Sequence, residues 1–277
     1  MSDLVEVAKK ILLENRRAGY TLPTNNKLYP AQWNWDSAFI SLGYSYFNLD
    51  YAIQELETLL KGQWDDGMVP HILFHEVDDS YFPNHTTWSC GKEIPSSGIT
   101  QPPIAASILR IIVKNNSLDE TQNKKVFNLV CKLKKYHEWF FKNRDQNQSG
   151  LISIIHPWES GYDNSPLWDF ALSKINVDKN LSYERRDLKV SKNDERPLKK
   201  DYDCYITLLN QFKSDNYNPN KLLNNSMFNI IDIGFNSIFL KANKDLIELL
   251  KLFKLDYLDL EEKIKKTENK IFDLYNE

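Results

Sequence analysis

The chain has 277 residues, 42% of them hydrophobic, and its 35 basic and 38 acidic residues leave a formal net charge of −3. This length and apolar content are enough for the core of one large domain or of two small ones. Because so small a net charge creates no strong field, we expect neither nucleic acid nor an anionic membrane surface as a partner.

No window approaches the roughly 18 unbroken apolar residues of a membrane span, and the amino terminus has no signal-peptide core. Cys90, Cys131 and Cys204 are odd in number and lack C-x-x-C spacing. This pattern favours free thiols over disulfides or a thiolate metal site. Together these observations predict a cytoplasmic protein.

Helical periodicity dominates the chain. Apolar residues recur at helical spacing in residues 4–12, and then in residues 35–47 and 51–60, which a short turn joins. The latter two segments predict an antiparallel helical hairpin. Further helices are predicted after Pro102, at about 120–143, and near 202–212, 227–253 and 258–275. The pattern thus predicts an all-α protein of roughly eight or nine helices.

Two connections between these helices, residues 62–101 and 174–200, are much longer than the few residues that usually join packed helices. Loops of such length are commonly functional. The second contains Arg185, Arg186 and Arg196, and an arginine offers a planar fork that can bind a carboxylate. The alternative is that this loop is charged only because it is solvated.

Residues 156–166 place two carboxyl groups, Glu159 and Asp163, four residues apart with Trp158 beside them. A ring can pack on the apolar face of a sugar, and a carboxyl group can protonate a glycosidic oxygen. One interpretation is therefore a sugar site. The other is a capped helix start, because residues 164–166, Asn-Ser-Pro, are typical of a helix amino terminus.

A second cluster lies at residues 29–37, where Tyr29, Trp33, Trp35 and Asp36 precede an apolar helical run. Core aromatics are usually spread at helical spacing, whereas these crowd together with polar residues. Ring faces beside polar groups suit a hydroxylated ligand. The second cluster therefore favours the sugar-site interpretation of the first.

His71, His75 and Glu76 are spaced like metal ligands on a helix. They follow Pro70, however, and lack a convincing third ligand elsewhere, so we expect no metal ion. The sequence also contains no G-x-S-x-G elbow, P-loop or dinucleotide fingerprint. We therefore expect no cofactor.

Five segments carry a further pattern. They are YPAQWNWDSAF at 29–39, GQWDDGMVPH at 62–71, SSGITQPP at 96–103, HPWESGYDNSPLWD at 156–169 and RPLKKDYDCY at 196–205. In this order they resemble the mannosylglycerate and glucosylglycerate hydrolases of glycoside hydrolase family 63. The resemblance implies an (α/α)6 toroid, here incomplete, and metal-free, inverting hydrolysis of a small α-glycoside such as glucosylglycerate or mannosylglycerate.

The resemblance also implies roles for individual residues. It makes Asp163, in ESGYDNS, the general acid, and Arg196 a candidate partner for a glycerate carboxylate. It places a sugar subsite on Tyr29, Trp33, Trp35, Asp36, Gln101 and Trp158. For Glu159 three roles stay open, orienting Asp163, binding a hydroxyl or shaping the loop, of which we favour the last.

By the same resemblance, the catalytic base is a glutamate from a motif near the end of a longer chain. The acids near the end of this sequence lie in an apolar-periodic, lysine-rich run and are interpreted as solvated helix faces. We therefore expect residues 1–277 to form a single glycosidase domain without its C-terminal portion, and do not expect this chain alone to be active. An inactive sugar-binding remnant and a non-functional truncated fragment are the alternatives.

The expected partners are a small glycosylglycerate-like substrate and a missing C-terminal segment or an oligomer partner. The sequence does not distinguish glucose from mannose, because the two differ in one hydroxyl orientation that a single side chain could recognise. It does not identify the aglycone either.

Overall fold

The structure, a computed structural model, describes residues 2–24, 28–189, 191 and 196–276. Eleven α-helices dominate this described part, as the sequence pattern predicts. They are α1 (Ser2–Asn15), α2 (Asn34–Ser45), α3 (Leu49–Lys61), α4 (His85–Trp88), α5 (Ala105–Asn115), α6 (Glu120–Asn143), α7 (Asp169–Leu172), α8 (Lys199–Ser214), α9 (Pro219–Asn225), α10 (Ile233–Leu252) and α11 (Leu258–Asn276). Because α4 and α7 are single turns of four residues, nine longer helices remain among the described residues, in agreement with the expected number.

The α2 and α3 helices form the hairpin predicted from the sequence. Asn48 precedes α3, and its side chain caps the helix by accepting a 3.0 Å hydrogen bond from the Tyr51 amide. Across the pair, the Ser41 hydroxyl donates to the Ala52 carbonyl at 2.8 Å, and both residues are fully buried. The two helices therefore pack through small side chains.

The long helix α6 begins at Glu120, as predicted. Asp119 and Gln122 determine this start, because each side chain bonds to the backbone amide of the other in a capping box. Trp139 and Phe140 lie on the inner face of this helix and are buried in the hydrophobic core.

The prediction for α10 is wrong at its start. A helix over 227–253 was expected, but Ile230–Ile231 form a strand. Asp232 then caps the helix by accepting a 2.6 Å bond from the Phe235 amide. Apolar periodicity alone did not reveal this cap, and it also missed α9, which has only seven residues.

Short strands form two small sheets. They are β1 (Gln32–Trp33), β2 (Ile72–Leu73), β3 (Cys90–Gly91), β4 (Pro95–Ser96), β5 (Ser153–Ile154) and β6 (Ile230–Ile231). The antiparallel order is β1-β2-β4-β3 in one sheet, and β5 pairs with β6 in the other. The long connection at 62–101 is therefore partly ordered, and its pairing with residues 32–33 joins two segments that are distant in sequence.

One hydrophobic cluster extends from α2 to α11. In it, α2 packs on α3 and α5, while α10 packs on α5, α6 and α11. Cys90, Cys131 and Cys204 are free, as predicted. None of the helices in the described ranges combines the length and apolarity needed to span a bilayer.

Candidate active site

One cavity of about 340 Å³ collects residues from several separate stretches of the described chain. All eight residues to which the resemblance assigns catalysis or substrate binding line it. They are Tyr29, Trp33, Trp35, Asp36, Gln101, Trp158, Asp163 and Arg196. The structure thus brings the predicted set together, while the role of each residue remains a prediction.

The first wall of the cavity is the start of α2. Trp33 is the N-cap residue, with extended dihedral angles and no capping side-chain hydrogen bond. The Trp35 amide is one of the first-turn donors that lack a partner inside the helix, and it donates to Gln101 Oε1 at 3.2 Å. Gln101 therefore holds the turn that carries Trp35 and Asp36.

Aromatic rings around Trp33 continue this wall. The ring centroids of Tyr29 and Trp33 lie 5.1 Å apart, and those of Trp33 and Tyr81 lie 5.4 Å apart, both in edge-to-face geometry. Such packing fixes ring orientation and leaves tyrosine hydroxyls available beside apolar faces. This combination is suited to a hydroxylated ligand.

A second wall is the 156–163 loop, which Glu159 holds in place. Glu159 is fully buried and is not among the residues that line the cavity. Its Oε1 accepts from Arg144 Nη2 at 2.9 Å and from the Thr100 amide at 3.2 Å, and its Oε2 accepts from the Ile155 amide at 2.8 Å. These contacts support the loop-shaping role favoured from the sequence.

Asp163 lies on this loop and is partly buried. Burial raises the pKa of its carboxyl group, although its own backbone amide and the charge of Arg196 oppose the shift. Burial likewise raises the pKa of Asp36 to about 6. A carboxyl group with a raised pKa can hold a proton near neutral pH, as a general acid must.

The capped-helix interpretation of residues 156–166 also has a structural counterpart. Ser165 Oγ accepts from the Leu167 amide at 3.3 Å and starts the 3₁₀ turn Pro166–Trp168, which leads into α7. Because this cap follows Asp163, the helix start and the cavity wall coexist in one segment.

His71 also lines the cavity, although the sequence analysis considered it only as a metal ligand. Its ring stacks on Trp158 at a centroid distance of 6.2 Å, and its Nδ1 lies 3.0 Å from Ser97 Oγ. Burial holds the pKa of His71 well below its usual value, so the ring is neutral. His71 is the last residue of the GQWDDGMVPH segment, and this position could have identified it as a cavity residue from the sequence.

Of the three candidate arginines, only Arg196 lines the cavity. Its Nε donates to Asp187 at 2.9 Å and its Nη1 donates to the Tyr29 hydroxyl at 3.1 Å. Arg185 lies behind it and bonds to the same carboxylate through Nη2 at 2.6 Å. Arg186 instead pairs with Glu184 at 3.1 Å and is partly exposed.

Asp187 joins the two arginines of this cluster. Burial raises the pKa of Asp187, but hydrogen bonds and charges from Arg185 and Arg196 outweigh burial and hold the pKa below its usual value. The ionised carboxylate therefore orients the guanidinium of Arg196 at the cavity. The sequence analysis missed Asp187, Tyr81 and Tyr202 as cavity residues, although Asp187 lies in the charged loop 174–200 and Tyr202 in the segment 196–205.

The residues weighed as metal ligands do not converge. His75 Nε2 lies 2.7 Å from Gln32 Oε1, whereas His71 contacts Ser97. Within the described residues, no group of three or more His, Cys, Asp or Glu side chains is arranged to hold a metal ion.

An all-α fold with a cavity lined by tryptophans, tyrosines and carboxyl groups is the arrangement expected of the helical glycosidase fold class. The chain belongs to a specific family within this class: the family model for the mannosylglycerate hydrolase MGH1-like glycoside hydrolase domain matches residues 29–277. The family expected from the five sequence segments is thereby confirmed.

Known relatives support the same family assignment. A mannosylglycerate hydrolase of Thermus thermophilus is 42% identical over 266 residues, which cover 94% of this chain and 63% of that protein. The glucosylglycerate hydrolase of Mycolicibacterium hassiacum is 33% identical over 248 residues, which cover 85% of this chain and 56% of that protein. The chain thus spans less than two thirds of the length of these relatives.

Among solved structures, a family 63 mannosylglycerate hydrolase from Thermus thermophilus in complex with Tris and D-glycerate matches with a TM-score of 0.92 and 42% identity. The match covers 96% of this chain and 64% of that one. It confirms the all-α toroid fold that the resemblance implies.

Proposed function

We propose that the cavity binds an α-glycoside of glycerate, such as glucosylglycerate or mannosylglycerate, and that Asp163 protonates the glycosidic oxygen in an inverting hydrolysis. The observation that carries this proposal is that one cavity of about 340 Å³ is lined by Asp163, Arg196 and the aromatic cluster around Trp33. Its volume falls within the range of about 300–1,000 Å³ that is usual for small-molecule sites.

The sugar ring would lie among Trp33, Trp35 and Trp158. Rings of this kind pack on the apolar face of a pyranose, while the Asp36 carboxyl group can accept hydrogen bonds from its hydroxyls. The neutral His71 imidazole supplies a further polar edge at the same wall. The crystal structure of the relative contains D-glycerate, which supports an anionic aglycone.

The aglycone carboxylate would meet Arg196. Because Asp187 and the Tyr29 hydroxyl already hold Nε and Nη1, the guanidinium is oriented before the ligand arrives. Asp163 would donate its proton to the bridging oxygen, and glycerate would leave with that proton. The raised pKa of Asp163 supports this assignment.

Inversion also needs a base that activates water, with its carboxyl group roughly 6.5–9.5 Å from the acid. The other carboxyl groups lining the cavity in the described part of the chain are Asp36 and Asp187. Asp187 accepts hydrogen bonds from two arginines. Asp36 lies next to Trp35, where it is proposed to bind the sugar hydroxyls. We therefore propose that the base comes from outside these residues, from a further segment or from a partner chain.

We also propose that residues 1–277 act as one glycosidase unit, because the hydrophobic cluster is continuous from α2 to α11. The three free cysteines support a cytoplasmic location, where thiols stay reduced. A second candidate function, sugar binding without turnover, is favoured by the lack of a free base carboxylate among the described cavity residues.

Calorimetric titration with glucosylglycerate and with mannosylglycerate, combined with an assay for released sugar, tests the proposal. For this chain alone we expect binding without hydrolysis, and hydrolysis only when the base is supplied. Any turnover should disappear in Asp163→Asn and persist in Asp169→Asn, an exposed acid six residues further along the same segment. Absence of binding, or hydrolysis that survives Asp163→Asn, would contradict the proposal.

A further inference from the structure

Glu55 of α3 is completely buried behind the aromatic cluster, yet it has no cationic partner among the described residues. Its Oε1 accepts from Ser37 Oγ at 2.8 Å and from Gln32 Nε2 at 3.0 Å. Its Oε2 accepts from Thr21 Oγ1 at 2.8 Å. Three neutral side-chain donors, one at residue 21 and two within residues 32–37, thus converge on one carboxyl group.

Two of these donors flank the segment from Trp33 to Asp36 in the sequence. Gln32 directly precedes Trp33, and Ser37 directly follows Asp36. The start of α2 has no capping side chain of its own, so residues from other segments hold it. Gln101 binds the Trp35 amide on the cavity side, and Glu55 binds Gln32 and Ser37 on the buried side.

We propose that Glu55 is a positioning residue, which fixes the segment from Trp33 to Asp36 for sugar recognition; this rests on the proposed function of the cavity. Glu55 does not line the cavity and therefore acts only through the residues that it holds. A segment anchored at both ends presents Trp35 and Asp36 in one orientation, and binding groups displaced by even about 1 Å lose much of their effect.

The environment of Glu55 indicates which substitution keeps the anchoring contacts and which one removes them. Burial raises the pKa of Glu55 to about 7, although bonds from Ser37, Thr21 and Gln32 oppose the shift. A neutral amide of the same size can therefore replace the carboxyl group, with its oxygen accepting from Ser37 and Gln32. Glu55→Gln should retain the anchor, and Glu55→Ala should remove it.

The first test needs no ligand. Tryptophan residues are labelled with fluorine in the chain of residues 1–277, and the ¹⁹F resonances of Trp35 and Trp139 are assigned by single substitution to phenylalanine. In Glu55→Ala the Trp35 resonance should shift or broaden, while that of Trp139 in α6 stays in place. Glu55→Gln should restore the wild-type position. An unchanged Trp35 resonance in Glu55→Ala would overturn the inference.

The second test measures glucosylglycerate affinity by calorimetry. Glu55→Ala should weaken binding by roughly tenfold or more, and the effect of Ser37→Ala should largely vanish when Glu55 is already alanine. Asn243→Ala is the matched control, because Asn243 is equally buried and bonded to the Phe239 carbonyl and to His137 in α6. It should lower stability without changing affinity.

The outcomes separate this inference from the proposed function. If wild-type protein binds sugar and Glu55→Ala binds equally well, Glu55 does not position the cluster and the inference is wrong. If wild-type protein does not bind sugar, the proposed function is wrong. A ligand-free shift of Trp35 that Glu55→Gln restores would still support the anchoring role of Glu55.

Discussion

Gly161 packs directly against the indole ring of Trp35. The φ angle of Gly161 is +83°, and an ideal Cβ at this position would lie 2.5 Å from Cη2 of that ring. Only glycine therefore permits this contact, both because of the positive φ and because of the close approach. The contact joins the acid-bearing loop to the aromatic cluster, two segments that are far apart in the sequence.

Gly161→Ala should consequently lower both stability and ligand affinity. The new methyl group must displace Trp35 or the loop, and alanine is strained at this φ, so we expect a loss of about 1–3 kcal/mol in unfolding free energy. Urea denaturation and calorimetry measure the two effects. Gly43→Ala is the control, because Gly43 lies within α2 and meets only the end of the Leu12 side chain. Equal effects of the two substitutions would argue against this account.

The buried ion pair between Arg144 and Glu159 should be costly to break. Both side chains are only 1% exposed, and their N–O distance is 2.9 Å. Glu159→Gln leaves the guanidinium charge without its counter-charge, so we expect unfolding free energy to fall by about 3–5 kcal/mol. Adding Arg144→Met should recover part of this loss. Chemical denaturation measures both.

A surface pair supplies the comparison for this prediction. Lys124 and Glu120 pair at 2.9 Å on the exposed face of α6. Lys124→Met should change stability by less than about 1 kcal/mol, because water already solvates both charges. If the buried and surface substitutions have similar effects, the buried pair is not what stabilises the 156–163 loop.

His137 should make the fold sensitive to acid. Its ring is fully buried, with Nδ1 3.0 Å from Asn243 Oδ1, and burial lowers its pKa from 6.5 to about 4. Between these two pH values the unfolded chain binds a proton that the folded chain does not, so stability falls as the pH falls through this window. A shift of this size corresponds to roughly 3 kcal/mol.

Comparison with His137→Gln isolates this contribution from the other buried histidines. The difference in unfolding free energy between variant and wild type at pH 8 reports only the packing cost. As the pH falls towards 4.5, this difference should shrink or reverse. Parallel pH dependences for the two proteins would exclude His137 as an acid-sensitive group.

Arg196→Lys should weaken binding of glucosylglycerate more than binding of glucosylglycerol, which has no carboxylate. Lysine cannot reproduce the fork that also bonds to Asp187 and Tyr29, so we expect a loss of roughly tenfold or more for the anionic ligand. Calorimetry with both ligands measures the difference. Arg186→Lys, outside the cavity, should affect neither. Equal losses of affinity for the two ligands would show that Arg196 does not recognise the carboxylate.

The local sequence determined most of the helices, because their periodicity and caps are short-range properties. The capping box of Asp119 and Gln122 determined the start of α6, and the Asn48 cap determined the start of α3. Resemblance in five segments identified the family and eight of the residues that line the cavity. The apolar stripe of α3, with Ala52, Leu56 and Leu59, also contained a signal for Glu55, which lies on the same face.

Only the tertiary structure decided which polar residues meet. The charged loop by itself did not distinguish its three arginines, although the resemblance favoured Arg196. In the structure Asp187 orients Arg196 at the cavity, whereas Arg186 lies outside it. His71, Tyr81 and Tyr202 reach the site from separate segments. Such convergence depends on how helices and strands pack over long sequence distances, and therefore periodicity, which describes neighbours along the chain, does not contain it.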